Sequence, residues 1–124
     1  MNLQLLAECF SIGKMADLSG IDLQTRFLFL ARTDEECSFL CPSDCVPSDS
    51  TELSDDWRAL RVSGTLDFSL TGILAGLAST LAEAGISLFA VSTFNTDYLL
   101  VRETSLQQAL TALRQAGHHI DLLD

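Results

Sequence analysis

The second half of the sequence predicts an α+β fold of the ferredoxin-like kind, with the element order β-α-β-β-α-β. Three observations carry this. Apolar residues recur at helical spacing after Ile73 and again after Leu106, and two nearly continuous apolar, β-prone runs lie between those segments. Short strand-like segments flank the set on both sides. Two split βαβ units in this order make an antiparallel four-stranded sheet with both helices on one face.

Taken in order, Leu60-Arg61-Val62-Ser63-Gly64 alternates apolar and polar as a short strand does, and Thr65 to Gly72 mixes Gly, Asp and hydroxyl residues as a loop does. Ile73, Leu74, Leu77, Ala78, Leu81 and Ala82 share one helical face, with Thr71 or Ser69 as the cap and Gly85 as the stop. Ile86 to Phe94 and Tyr98 to Val101 read as the two strands of a hairpin around Asn95-Thr96-Asp97. Leu106, Ala109, Leu110 and Leu113 form the second helical face, between a Ser105 cap and a Gly117 stop. His118 to Leu123 supplies the last strand.

Residues 1–56 are less regular. Leu3 to Phe10 and Phe27 to Ala31 are strand-like, Cys37 to Cys41 is a short apolar run, and no amphipathic helix of useful length occurs. The polar stretch Pro47 to Asp56 reads as an exposed connection. The domain division expected is therefore 1–56, mostly β, and 57–124.

Charge excludes several functions. The 124 residues carry 7 Lys and Arg against 17 Asp and Glu, a formal net charge of -10, whereas nucleic-acid and anionic-membrane binding draw on basic residues that release counterions. Residues 1–56 hold 11 of the acids and 3 of the bases, so the first half carries most of the imbalance. The start of the chain lacks the basic flank and small-residue cleavage site of a secretory signal, and no run reaches spanning length, so a cytoplasmic protein is expected. The weakly charged stretch Phe68 to Ala82 reads as a buried helix.

No catalytic or metal constellation emerges. Cys37, Cys41 and Cys45 recur every fourth residue, but Pro42 and Pro47 oppose a helix there, and the spacing fits neither a zinc knuckle nor a redox pair. With Cys9 they read as reduced thiols. His118 and His119 are neighbours on a strand and point to opposite faces, so they do not share an ion. There is no nucleophile elbow, Walker loop or dinucleotide fingerprint.

The stretches Trp57 to Gly64, Leu66-Asp67-Phe68, Leu70-Thr71-Gly72-Ile73-Leu74 and Ser92-Thr93-Phe94-Asn95-Thr96-Asp97-Tyr98-Leu99-Leu100-Val101 resemble the ACT domain superfamily. The branch is that of small bacterial proteins with two ACT-like units, similar also to units of the animal cytosolic arginine sensors. In the first half the resemblance rests on Phe27 to Asp34, Glu35 to Cys41 and Val46-Pro47, which makes residues 1–56 an abbreviated ACT-like unit. The resemblance implies a non-catalytic regulatory module, without cofactor, that binds a small ligand at an ACT–ACT interface, most simply a free amino acid. A pure assembly module with no functional pocket is the alternative.

The resemblance also places the ligand against the turn from first strand to first helix, Asp67 to Ile73, with Ser92 to Asp97 as the other wall. Gly72 and Ile73 open a helix whose first N–H groups and dipole favour a carboxylate, although such a glycine also serves simple helix–sheet packing. Thr71 stands at the cap. Thr93 and Asn95 offer hydrogen bonds, Phe94 an apolar wall, and Asp97 a partner for an ammonium group. Asp67 reads first as closing its own turn, with ligand contact as the other possibility. A sheet with helices on one face leaves edges to cover, which makes a homodimer the expectation.

Overall fold

The computed structural model describes residues 1–67 and 71–124. Among these residues seven strands and two α-helices follow one another as β1 (Asn2–Lys14), β2 (Phe29–Arg32), β3 (Cys37–Pro42), β4 (Glu52–Val62), α1 (Ile73–Glu83), β5 (Phe89–Ser92), β6 (Asp97–Arg102), α2 (Leu106–Gln115) and β7 (His119–Leu122). From β4 onward this is the β-α-β-β-α-β order read from periodicity. The chain divides into two compact units, Met1–Ala7 with Arg58–Asp124, and Glu8–Trp57.

In the larger unit the strands lie in the order β7–β1–β4–β6–β5. Period-2 alternation explains its core. Leu3 and Leu5 on β1, Leu60 and Val62 on β4, and Leu99 and Val101 on β6 are buried together with Leu77 and Leu81 of α1 and Leu106, Ala109, Leu110 and Leu113 of α2. Both helices thus cover one face. Each helix ends in the same way: Gly85 N–H bonds the Ala82 carbonyl and Ile86 N–H that of Leu81 (3.0 Å each), while Gly117 and His118 repeat this on Arg114 and Leu113 (3.0 and 3.1 Å). This double bond needs a left-handed residue, and Gly85 has φ +75°.

The sheet departs from the expected four antiparallel strands. Asn2–Leu5 of β1 inserts beside β7 and pairs with it in parallel, Asn2 opposite His119 and Leu5 opposite Leu122. Met1–Ala7 therefore belongs to the same compact unit as Arg58–Asp124. β4 begins at Glu52 rather than Leu60, so the second part of the supposed Pro47–Asp56 connection is strand. That segment is mostly exposed and leaves no apolar alternation to read; its pairing begins with backbone bonds such as Thr51 N–H to the Lys14 carbonyl, 2.8 Å.

The other expectations corrected are local. Within the expected buried helix Phe68 to Ala82, α1 begins only at Ile73 and buries only Leu77 and Leu81, so it has a single apolar face; Phe68 to Leu70 lie outside the described residues. Among the described residues neither helix has a side-chain cap: Gly72 occupies the N-cap of α1, and α2 grows from a 3-10 turn at Glu103–Ser105. The Ser69 alternative lies outside the described residues. The strand expected from Ile86 is confined to Phe89–Ser92, because Ile86 completes the stop of α1.

In the smaller unit the order is β2–β3–β1–β4. Cys37, Phe39 and Cys41 face one side of β3 and pack with Met15 and Ile21, which flank a 3-10 turn at Leu18–Gly20. Burial pushes the Cys41 thiol up to about 11, with Cys45 and Asp44 adding to the effect, so it stays protonated at neutral pH. Among the described residues no group of three His, Cys, Asp or Glu is placed to hold a metal ion. No helix there is long and apolar enough to cross a membrane.

The two units share one internal device. Thr33 N–H bonds the Glu36 carbonyl (2.9 Å) between β2 and β3, and Thr93 N–H bonds the Thr96 carbonyl (2.8 Å) between β5 and β6. Each turn leads into a six-residue strand and then a 3-10 turn, Ser43–Cys45 or Glu103–Ser105. After Ser105 the chain enters α2; after Cys45 it meets Val46-Pro47, and Pro47 opposes continuation of a helix.

Candidate functional site

Two walls of the larger unit enclose a cleft of about 300 Å³, at the lower end for small-ligand sites. One wall is Leu66 and Asp67 with Gly72 to Ala75, where α1 begins. Gly72 sits at φ +78°, a conformation that an L side chain resists, and a Cβ there would meet open space. Gly76 N–H takes the Gly72 carbonyl at 2.8 Å, so the N–H groups of Ile73, Leu74 and Ala75 precede the helical ladder at the positive end of the dipole.

The opposite wall is Ser92 to Asp97. This turn is fixed to the rest of the unit at two points. Leu66 N–H bonds the Asn95 carbonyl at 2.7 Å, and the buried Thr96 hydroxyl donates to the Val62 carbonyl at 2.7 Å, just before the loop of the first wall. The Thr93 hydroxyl closes the turn on the Thr96 carbonyl at 3.1 Å.

All but one of the residues expected at the site line this cleft: Asp67, Gly72, Ile73, Thr93, Phe94, Asn95 and Asp97. Thr71 is exposed and is not part of the lining. Asp97 belongs to β6 rather than to the turn; it stands opposite Ser92, whose hydroxyl donates to its Oδ1 at 2.6 Å. Phe94 is 79% exposed at the hairpin tip. Sequence reading missed Leu66, Leu74 and Ala75 as lining residues, while Ser92 and Thr96 fall in the wall it expected from Ser92 to Asp97.

The thiols and histidines stand apart from this site. Cys37 and Cys41 are buried and Cys9 is exposed. His118 is half-buried, and its burial pulls its pKa down; His119 is exposed with Nε2 at 2.9 Å from Asp121 Oδ1.

An α+β sheet with both helices on one face, and a cleft at the start of the first helix, is the ferredoxin-like architecture. A model of the ACT domain matches residues 52–115, and the chain belongs to the ACT domain family of regulatory modules. It is 41% identical over 88 residues to the cytosolic arginine sensor for mTORC1 subunit 1 of Homo sapiens, covering 68% of this chain and 26% of that one. The chain thus spans about a quarter of the length of the curated relatives it matches. A crystal structure from Agrobacterium tumefaciens superposes with TM-score 0.87 at 32% identity, covering 99% of this chain and 93% of that one. The ligand-free regulatory subunit of aspartate kinase from Thermus thermophilus shares the fold, with TM-score 0.62 at 14% identity over 93% and 96% of the two chains.

Proposed function

We propose that this chain is a non-catalytic sensor module that binds a free amino acid in the cleft between α1 and the Thr93–Thr96 turn. The observation that carries the reading is that one small cleft holds both the positive end of α1 and two carboxylates, Asp67 on the same wall and Asp97 on the opposite one. N–H donors at the positive end of α1 suit an α-carboxylate, and Asp67 and Asp97 suit an α-ammonium or a cationic side chain. The similarity to cytosolic arginine sensors supports an amino acid as the ligand class and a cytoplasmic setting. Thr93 and Asn95 would add hydrogen bonds and Phe94 an apolar wall.

Thermal unfolding against each of the twenty amino acids at millimolar concentration tests this. Ligand at a hundred times its dissociation constant adds about 2.7 kcal/mol, a rise of several degrees for a domain of this size. The expected result is a rise confined to one chemical group of amino acids and lost in Asp97→Ala. No rise with any of them would favour the assembly-module alternative, and an unchanged rise in Asp97→Ala would remove Asp97 from the site.

We also infer a homodimer, and the abbreviated ACT-like nature of residues 1–56. Among the described residues β5 is an edge strand, and Phe89 at its start and Phe94 in the turn after it are 38% and 79% exposed, apolar surface that pairing with a second copy would cover. Light scattering should then give the mass of two chains at micromolar concentration; the 13.5 kDa of a single chain would contradict pairing. The repeated turn, strand and 3-10 segment of the smaller unit supports its kinship with the larger one.

A further inference from the structure

A second cleft of about 340 Å³ lies in the same unit, lined by Gln4, Arg61, Gly64, Thr65, Thr93, Asn95, Thr96 and Tyr98. Its core is a row across three neighbouring strands. Gln4 on β1 stands between the buried Leu3 and Leu5, Arg61 on β4 between Leu60 and Val62, and Tyr98 on β6 beside Leu99. Alternation therefore turns all three away from the helix-covered face.

The row holds the arginine in place from both sides. Arg61 Nε–H donates to Gln4 Oε1 at 2.9 Å, and its guanidinium carbon lies 5.9 Å from the centre of the Tyr98 ring. A guanidinium oriented in this way loses less freedom on binding, and its planar fork matches carboxylate and phosphate oxygens. Gly64 at φ +85° leaves open space beside it, and Thr65, Thr93, Asn95 and Thr96 surround it with small polar groups.

The charge is the telling feature. In a chain with 17 acids and 7 Lys and Arg, the charged side chain among the described lining residues of this cleft is a cation, and none of those residues is a carboxylate. The first cleft, which shares the wall of Thr93, Asn95 and Thr96, is lined by Asp67 and Asp97 instead.

We propose that the Arg61 cleft is a second ligand site, one that takes the oxyanion group, carboxylate or phosphate, of a small metabolite. The site stands whether or not an amino acid occupies the first cleft. Its selectivity would come from the fork of Arg61 with the Thr65 hydroxyl and the Asn95 amide near Gly64, its affinity from a charge-assisted contact fixed before the ligand arrives.

NMR on the isotope-labelled full chain tests it, with inorganic phosphate and succinate titrated separately against sodium chloride of matched ionic strength. The expected result is a saturable shift of the Arg61 Nε–Hε resonance and of the Gly64, Thr65 and Tyr98 amides with at least one anion. The anion that produces it tells phosphate from carboxylate recognition. Arg61→Gln should weaken the binding about tenfold to a hundredfold, as expected for a hydrogen bond to a charged group. If that variant loses its fold, Arg61→Lys keeps the charge without the fork and should still bind more weakly than the parent. Shifts that chloride reproduces, shifts confined to Ile73–Ala75, absence of saturation, or affinity unchanged in the folded variant would each overturn the proposal.

Discussion

Leu81→Ala is expected to lower the unfolding free energy by about 2–5 kcal/mol, the range for removing a fully buried leucine side chain and leaving a cavity. Leu81 is 0% exposed and packs in the cluster where α1 and α2 meet the sheet. It is also where α1 stops: its carbonyl accepts the N–H groups of Ile86 at 3.0 Å and Ala84 at 3.1 Å. Since a domain of this kind has only about 5–15 kcal/mol in total, the loss is a large share. Urea denaturation checks it, through a lower midpoint at unchanged slope. A cost well under 1 kcal/mol would mean that the helices do not form one core with the sheet.

Thr96→Val is the second large effect, about 1–3 kcal/mol, although the two side chains are nearly the same shape. Thr96 is 6% exposed, and its hydroxyl donates to the Val62 carbonyl at 2.7 Å inside the protein. Valine takes that donor away from a buried carbonyl and offers nothing in return. Because Thr96 lines both clefts, the variant should also weaken ligand binding at each. Thr96→Ser keeps the hydroxyl and should recover most of the stability. Equal costs for the two variants, measured by urea denaturation, would show that the methyl and not the hydroxyl matters.

Much of this fold was legible because local signals and tertiary packing agree. The leucines of α1 and α2 repeat at the helical period, and Gly85 and Gly117 stand where each helix stops. Other features leave no local trace. The Glu52–Asp56 part of β4 is held by backbone pairing while its side chains meet solvent. The parallel pairing of β1 with β7 joins the two ends of the chain, and nothing in either strand's alternation specifies it.

The candidate site divides in the same way. Gly72-Ile73 and Asp97 were readable, since a glycine before a helix and a carboxylate beside a hairpin turn have direct physical uses. Thr71 was misjudged because a hydroxyl before a helix suggests a cap, whereas the left-handed Gly72 takes that place. Gln4, Arg61 and Tyr98 went unnoticed for a simpler reason. Each is an ordinary polar-tipped residue beside a buried apolar one, and only the strand order β1–β4–β6 sets them side by side.

The central claim, that a free amino acid lies between the start of α1 and the Thr93–Thr96 turn, is most directly tested by following backbone amides while amino acids are titrated into the labelled chain. Saturable shifts at Ile73, Leu74 and Ala75 together with Thr93 to Asp97, for one chemical group of amino acids, are the predicted result. Binding that moves other residues and leaves both of these segments unchanged, or no saturable shift with any of the twenty, would contradict it.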